Sequence, residues 1–299
     1  MKAFVFPGQG SQFVGMGKEL IDEYPEYRKY FDIAKEETNV DFEKIIYKGS
    51  EEQLTKTENA QPAIMTVSYI AYKYLTEKKK ISADVVAGHS LGEWTALIAA
   101  EVIGFRDAVK LVRKRGEYMS ESCKPGTGLM AAVIGLKESA VNRIIRGFDS
   151  VFIANINSPE QIVISGRTDQ IEMCLSPLKR AGAKKVIPLN VSGAFHTVMM
   201  EKAAKNLSKD MENVKFRIPK MPIVQNVTAD YEYDPEIIKK NLLTQITHPV
   251  RWSDSIVKMR EKGVSEFIEV GFRNILIKLI KRIDNNSVCK SFVHLLKAA

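Results

Sequence analysis

Val85-Val86-Ala87-Gly88-His89-Ser90-Leu91-Gly92-Glu93 is the stretch from which the fold of this chain can be read. An apolar strand runs into Gly-x-Ser-x-Gly, and a helix-forming run from Trp94 to Ala100 follows at once. That is the pattern of a nucleophile elbow, in which a serine is forced onto a sharp turn between strand and helix. The glycines two positions either side of Ser90 have a mechanical purpose, because a Cβ at either place would strike the neighbouring strand or helix. Ser90 Oγ would then stand clear of the backbone, with the amide ends of the helix aimed at whatever it attacks. The competing reading is a plain turn, and the flanking strand and helix favour the elbow.

Strand and helix signals alternate outward from the elbow. Residues 2–6 read as a short buried strand ended by Pro7-Gly8-Gln9-Gly10, and helical patterns follow over 15–21, 26–38 and 60–73. The strand feeding the elbow covers 83–87. Such alternation implies a parallel sheet with helices on its faces. Between Pro125 and Gly193 the rhythm changes to strand 129–136, helix 137–148, strands 151–157 and 162–165 around a Ser158-Pro159 turn, helix 169–181 and strand 185–191. This βαββαβ order is the split unit of a ferredoxin-like domain. Pro125-Gly126-Thr127-Gly128 and Ser192-Gly193 supply its linkers. The expected fold is α/β: a large domain over 1–124 and 197–299, interrupted by a small one over 125–196. In the returning half, 199–211, 249–261 and 275–283 read as helices, and 223–226 and 267–270 as strands.

The chain has 299 residues, 45% of them hydrophobic and 27% charged, the balance of an ordinary soluble globular protein. Phe4-Val5-Phe6 before Pro7 is too short for a signal-peptide apolar region, and no apolar run approaches the roughly 20 residues of a membrane helix. Cys123, Cys174 and Cys289 are scattered and lack Cys-x-x-Cys spacing, so they read as reduced thiols in a cytoplasmic protein. Net charge is +8, from 44 basic and 36 acidic residues. It fits either a lysine-rich solvated surface or a field that speeds encounter with an acidic partner. The spread of the charge and the lack of a nucleic-acid motif argue against nucleic acid.

Serine needs an adjacent base to act as a nucleophile. The chain offers four histidines. His89 directly precedes Ser90, so its side chain leaves the elbow in another direction and supports the turn. His248 precedes Pro249 in an extended, loop-like context, and His294 falls near the end of the sequence, where chains fray. His196, in Ser192-Gly193-Ala194-Phe195-His196, sits where the inserted unit hands the chain back to the large one, and clefts form at such junctions. By elimination it is the base. No acid stands in the position a hydrolase triad requires, which argues for a serine–histidine dyad oriented by something other than a carboxylate.

Residues 106–122 read as one helix with Ala108, Leu111, Val112, Tyr118 and Met119 on its apolar stripe. Arg115 falls on that stripe, whereas Lys110, Arg113, Lys114 and Glu117 fall off it. An inward arginine is either part of a structural ion pair or a fork of N–H donors awaiting a substrate carboxylate. The opening Gly8-Gln9-Gly10 fails as a dinucleotide fingerprint, since the third glycine position is Phe13. The Gln9 amide could instead pair with that of Leu91 as a two-donor oxyanion hole; otherwise these glycines only make a turn.

Taken together, Phe6-Pro7-Gly8-Gln9-Gly10-Ser11-Gln12, Gly88-His89-Ser90-Leu91-Gly92-Glu93, Arg115-Gly116 and Gly193-Ala194-Phe195-His196 resemble the malonyl-CoA:acyl-carrier-protein transacylases, collinearly from first strand to final helix. The resemblance implies an α/β-hydrolase-like large domain with a ferredoxin-like insertion. Ser90 is then the acylated nucleophile, His196 its base, Arg115 the binder of the malonyl carboxylate, and the Gln9 and Leu91 backbones the oxyanion hole. Gln245, in Gln245-Ile246-Thr247-His248-Pro249-Val250-Arg251-Trp252, matches the residue that orients the histidine through its carbonyl. His89 and Phe195 fall beside the substrate, Leu91 and Phe195 resemble the malonyl-selective pattern, and Lys184 and Lys185 match a basic pair facing CoA or carrier phosphates. The implied partners are malonyl-CoA, a substrate and not a cofactor, and an acidic phosphopantetheinylated carrier protein. No metal, redox cofactor, nucleic acid or membrane is implied. Two departures stand out: Gly271-Phe272-Arg273 replaces the usual Gly-Pro-Gly, and Trp94 stands where Tyr or Phe is usual. Stand-alone acyltransferases of polyketide synthesis share these motifs, so the pathway stays open. A hydrolase that clears carriers, or a non-catalytic carrier-docking protein, are the rival functions.

Overall fold

A computed structural model of the chain describes residues 1–124, 126–191 and 193–297. Pro125 and Ser192, each in an expected linker, lie outside the described residues. Among the described residues ten strands form two sheets. The larger contains β1 (Lys2–Phe6), β2 (Val85–Gly88), β7 (Ile223–Val224), β8 (Tyr231–Glu232), β9 (Glu266–Glu269) and β10 (Val288–Ser291) in the order β10-β9-β1-β2-β7-β8. All its pairings are parallel except that between β7 and β8.

Period-two geometry explains why β1 and β2 are apolar throughout. Phe4, Phe6 and Val86 point to one face, in the core shared with the helix Thr57–Glu77; Ala3, Val5, Val85 and Ala87 point to the other, against the helices Trp252–Glu261 and Leu276–Ile283. A parallel sheet covered on both faces has no solvent side on which a polar residue could alternate.

The second sheet contains β3 (Gly128–Ile134), β4 (Val151–Ser158), β5 (Gln161–Arg167) and β6 (Lys185–Pro188), all antiparallel, in the order β4-β5-β3-β6. Helices Glu138–Ile145 and Thr168–Arg180 complete the expected βαββαβ unit, which buries its own core of Val133, Val141, Ile162, Ile164, Ile171 and Leu178. Val250 stitches this sheet to the returning chain: its amide donates to the Ala154 carbonyl and its own carbonyl accepts from Ile156, both at 2.9 Å.

Several expected boundaries move, for local reasons. The helix read over 15–21 is Lys18–Glu23, because Gly15 and Gly17 adopt φ 89° and 80°. The span 26–38 splits into a 3-10 turn, Pro25–Arg28, and the helix Lys29–Thr38. The helix read over 249–261 begins at Trp252, since Val250 is held extended by its bridge to Asn155. The strand read over 185–191 ends at Pro188. Helices Phe42–Lys48, Glu51–Thr55, Pro235–Gln245 and Phe292–Lys297, with β8 and β10, were not anticipated. His294 therefore lies in a terminal helix that packs Phe292 into the core, not on a frayed end. Both departures from the expected motifs are accommodated. Phe272 stacks edge-on against Phe292 with centroids 5.0 Å apart, and the Arg273 guanidinium covers the Phe13 ring at 4.8 Å. Trp94 is fully buried, its indole N–H without a partner among the described residues.

Candidate active site

The elbow forms because two glycines let three backbones touch. A Cβ on Gly88 would lie 1.9 Å from the Gly92 carbonyl carbon, and one on Gly92 would lie 2.0 Å from the Phe6 carbonyl oxygen. Real Cβ atoms never come so close, so β1, β2 and the helix Leu91–Ala99 can meet only with glycine at both places. Ser90 is left at φ 52° and ψ −107°, a strained conformation for a side-chain-bearing residue. Asn226, just past β7, supports it: its Oδ1 accepts from Ser90 N at 2.7 Å, and its Nδ2 donates to the Gly88 carbonyl at 2.6 Å.

Ser90 Oγ lies 2.8 Å from His196 Nε2, and His196 Nδ1 lies 2.7 Å from the Gln245 carbonyl oxygen. A carbonyl can only accept, so Nδ1 carries the proton and Nε2 is free to take the serine's. Burial, and next the positive charge of Arg115, push the imidazole down to about 3. It is therefore neutral at working pH. His89 turns away, its Nε2 2.8 Å from Asn157 Oδ1 and its ring beside Trp252, while still bordering the Ser90 cavity. His248 is exposed.

Arg115 is 1% exposed on the inner face of the helix Phe105–Glu121. Gly116 lets that helix press onto the backbone of Thr57–Glu77, since a Cβ there would sit 2.7 Å from Glu58 Cα. The close approach brings Arg115 Nη1 within 2.6 Å of Gln61 Oε1. Nη2 donates to Gln245 Oε1 at 3.0 Å and to Ser90 Oγ at 3.2 Å. Nε is buried and has no partner among the described residues. Among the described residues no carboxylate lies within ion-pair distance of this guanidinium. Its buried charge is balanced by dipoles and by a carboxylate one residue removed.

Ser90, Leu91, Gln9, Arg115, His196 and Phe195 border one cavity of about 90 Å³, closed on the small-sheet side by Met130 and Asn155. The Leu91 amide opens a helix, so no carbonyl four residues back can take its proton. Gln9, with its side chain tied to Thr57 Oγ1 at 3.2 Å, faces the same space from the opening loop. Lys184 and Lys185 are not in this group. Both are exposed at the edge of the small sheet, Lys184 lying 3.7 Å from Glu160 and Lys185 opposite Ile134 in the register of β3 and β6.

Four site residues escaped the sequence reading. Gln61 read only as part of a helix, Asn226 as the end of a strand, Gln225 as its neighbour, and Glu93 as a letter of the elbow motif. All four are polar and essentially fully buried. The available signal was a polar residue inside an apolar run, which marks a buried partner without saying which.

An acyl transferase domain family matches residues 3–291 of the chain. A malonyl CoA-acyl carrier protein transacylase of Bacillus subtilis is 42% identical over 286 residues, covering 94% of this chain and 90% of that protein. Among solved structures, the malonyl CoA-acyl carrier protein transacylase of Coxiella burnetii matches with a TM-score of 0.95 at 37% identity, covering 97% of this chain and 93% of its own. A malonyl-transacylase solved in complex with its type II PKS acyl-carrier protein matches with a TM-score of 0.93 at 37% identity, covering 97% and 95%.

Proposed function

The chain belongs to the acyl transferase domain family, and we propose that Ser90, His196 and Arg115 are the groups with which it moves a malonyl unit from malonyl-CoA to the phosphopantetheine thiol of an acyl carrier protein. Ser90 Oγ attacks the thioester carbonyl while His196 Nε2 takes its proton. The developing oxyanion is received by the backbone amides of Gln9 and Leu91. CoA departs as the thiolate, takes the proton from His196, and leaves malonyl-Ser90. The carrier thiol then gives its proton to His196 and attacks the ester, and Ser90 leaves with that proton restored. The Gln245 carbonyl stands in for a triad carboxylate: it holds the imidazole in one tautomer without adding charge.

One observation carries this reading. A guanidinium with no ion pair to a carboxylate among the described residues reaches Ser90 Oγ at 3.2 Å. Such a buried fork is costly unless a carboxylate arrives to complete it, and malonyl carries one at the distance a bound acyl group spans. A hydrolase of neutral acyl groups would have no use for it. The thioester is already activated, so the proposed chemistry calls for no metal or redox cofactor. The net charge of +8 suits an acidic carrier. The proposed boundaries place residues 125–196 in a small domain roofing the cavity and the remainder in the large one. CoA and soluble carriers being cytoplasmic, that compartment is the proposed location. Intact-protein mass spectrometry after mixing with malonyl-CoA tests the reading. One added malonyl group, lost on addition of phosphopantetheinylated carrier and absent in Ser90→Ala, is expected; an adduct that survives in Ser90→Ala refutes it.

A further inference from the structure

The side-chain amide of Gln245 has an acceptor end and a donor end, and everything around it agrees on which faces where. Oε1 accepts from Arg115 Nη2 at 3.0 Å. Nε2 faces three acceptors: Glu93 Oε2 at 2.6 Å, the Ser90 carbonyl at 3.1 Å and Asn226 Oδ1 at 3.2 Å. Turning the amide over would set N–H against guanidinium N–H and oxygen against three oxygens. Of the three acceptors only Glu93 can carry a charge.

Both oxygens of Glu93 are held as acceptors: burial pushes its carboxyl up to about 7, against the pull of the donors around it and of Arg115. Gln225 Nε2 donates to its Oε1 at 3.0 Å, and Asn226 N and Gln245 Nε2 donate to its Oε2. Gln225 cannot readily reverse, because its Oε1 accepts from Asn241 Nδ2 at 2.7 Å. A glutamine at position 93 would therefore bring an NH2 against a donor whichever way it turned. Glu93 touches neither His196 nor the cavity, so the acyl-transfer steps leave it without a role.

We propose that Glu93 is a positioning residue for malonyl selectivity: through the Gln245 amide it aims Arg115 at the substrate carboxylate and balances its charge from one side chain away. Separation is the point of the arrangement. A carboxylate in direct contact would occupy the N–H groups that the substrate needs; a carboxylate behind an amide polarises Gln245 Oε1 against Nη2 and leaves the front of the guanidinium open. The inference rests on Arg115 receiving the malonyl carboxylate.

Acyl-enzyme formation from malonyl-CoA and from acetyl-CoA, followed by rapid quench and mass spectrometry, tests it in wild type, Glu93→Gln, Arg115→Ala and the double variant Glu93→Gln/Gln245→Glu. Glu93→Gln is expected to lower the malonyl-to-acetyl ratio roughly tenfold, with most of the loss in KM for malonyl-CoA. The double variant keeps the charge count and moves the carboxylate onto Arg115, so the ratio falls at least as far; it carries the test if Glu93→Gln does not fold. A ratio in either variant within twofold of wild type, or equal losses on both substrates in Glu93→Gln, overturns the proposal. An unchanged ratio in Arg115→Ala sinks the carboxylate clamp and this inference together. A collapsed ratio there beside an unchanged one in Glu93→Gln sinks this inference alone.

Discussion

Asn226 clamps Ser90 from behind: its Oδ1 accepts the serine amide proton at 2.7 Å while its Nδ2 donates to the Gly88 carbonyl at 2.6 Å. One planar amide thus fixes the turn from both ends, and the strained Ser90 backbone cannot relax without breaking both bonds. Asn226→Ala would orphan a buried N–H and a buried C=O. A stability loss of about 2 kcal/mol and a roughly tenfold slower acyl-enzyme formation are expected. Asn226→Asp keeps Oδ1 but sets Oδ2 against the Gly88 oxygen, so it should do little better. Thermal melts and quenched acylation check both variants, and a wild-type melt for Asn226→Ala would contradict the clamp.

Gly92→Ala and Gly10→Ala should separate two uses of glycine. At Gly92 the new methyl meets the Phe6 carbonyl at 2.0 Å, and both backbones are fixed in the core. The expected cost exceeds about 4 kcal/mol, and the variant should not accumulate as folded protein. Gly10, at φ 98°, has nothing within 4 Å of the added carbon, so only conformational strain of about 1–2 kcal/mol remains. Equal loss of soluble protein in the two would reject this distinction.

Arg115→Ala removes the fork and leaves Gln61 and Gln245 facing a void. Malonyl transfer should fall roughly a hundredfold, the equivalent of two charge-assisted hydrogen bonds, and acetyl transfer far less. Arg115→Lys supplies charge without the fork and should recover little. Parallel losses on the two acyl groups would show that Arg115 is structural.

His196 gives a pH prediction whose sign follows from its surroundings. Burial and Arg115 lower its pKa to about 3, against 6.5 for a free imidazole. The neutral, proton-accepting form therefore persists far below pH 6.5. Acylation from acetyl-CoA, which carries no second carboxylate, should stay level from pH 7.5 down to about 5. An acid limb near 6.5 would mean that the ring is not held neutral. Folding has the matching linkage: the stability His196 contributes is complete above the unfolded value and drains away as pH falls toward 3, because the unfolded chain binds the proton first.

Much of the fold was legible because its rules are local. The doubly buried strands, the elbow glycines and the βαββαβ order each follow from period, from steric need or from turn residues. The helix Pro235–Gln245 was missed although its start was written plainly. Asp234 caps it by accepting from Glu236 N at 2.8 Å, and Pro235 occupies its first turn. Edge strand β10 carries no comparable mark, since only its pairing with β9 makes it a strand. Lys184 and Lys185, legible only through resemblance, lie outside the cavity that gathers Ser90, His196, Arg115, Gln9 and Leu91.

By itself the sequence determined that Ser90 sits on an elbow, that Arg115 faces inward, and that His196 stands where two units of chain meet. Tertiary structure alone decided which polar groups answer one another. Ser90 and His196 are 106 residues apart, Arg115 and Gln245 130, and Glu93 and Gln245 152. A side chain's hydrogen-bonding capacity is written in its chemistry, but its partner is chosen by packing. Gln245, whose carbonyl holds the imidazole and whose side-chain amide meets the guanidinium, takes up both roles only once four other segments have closed around it.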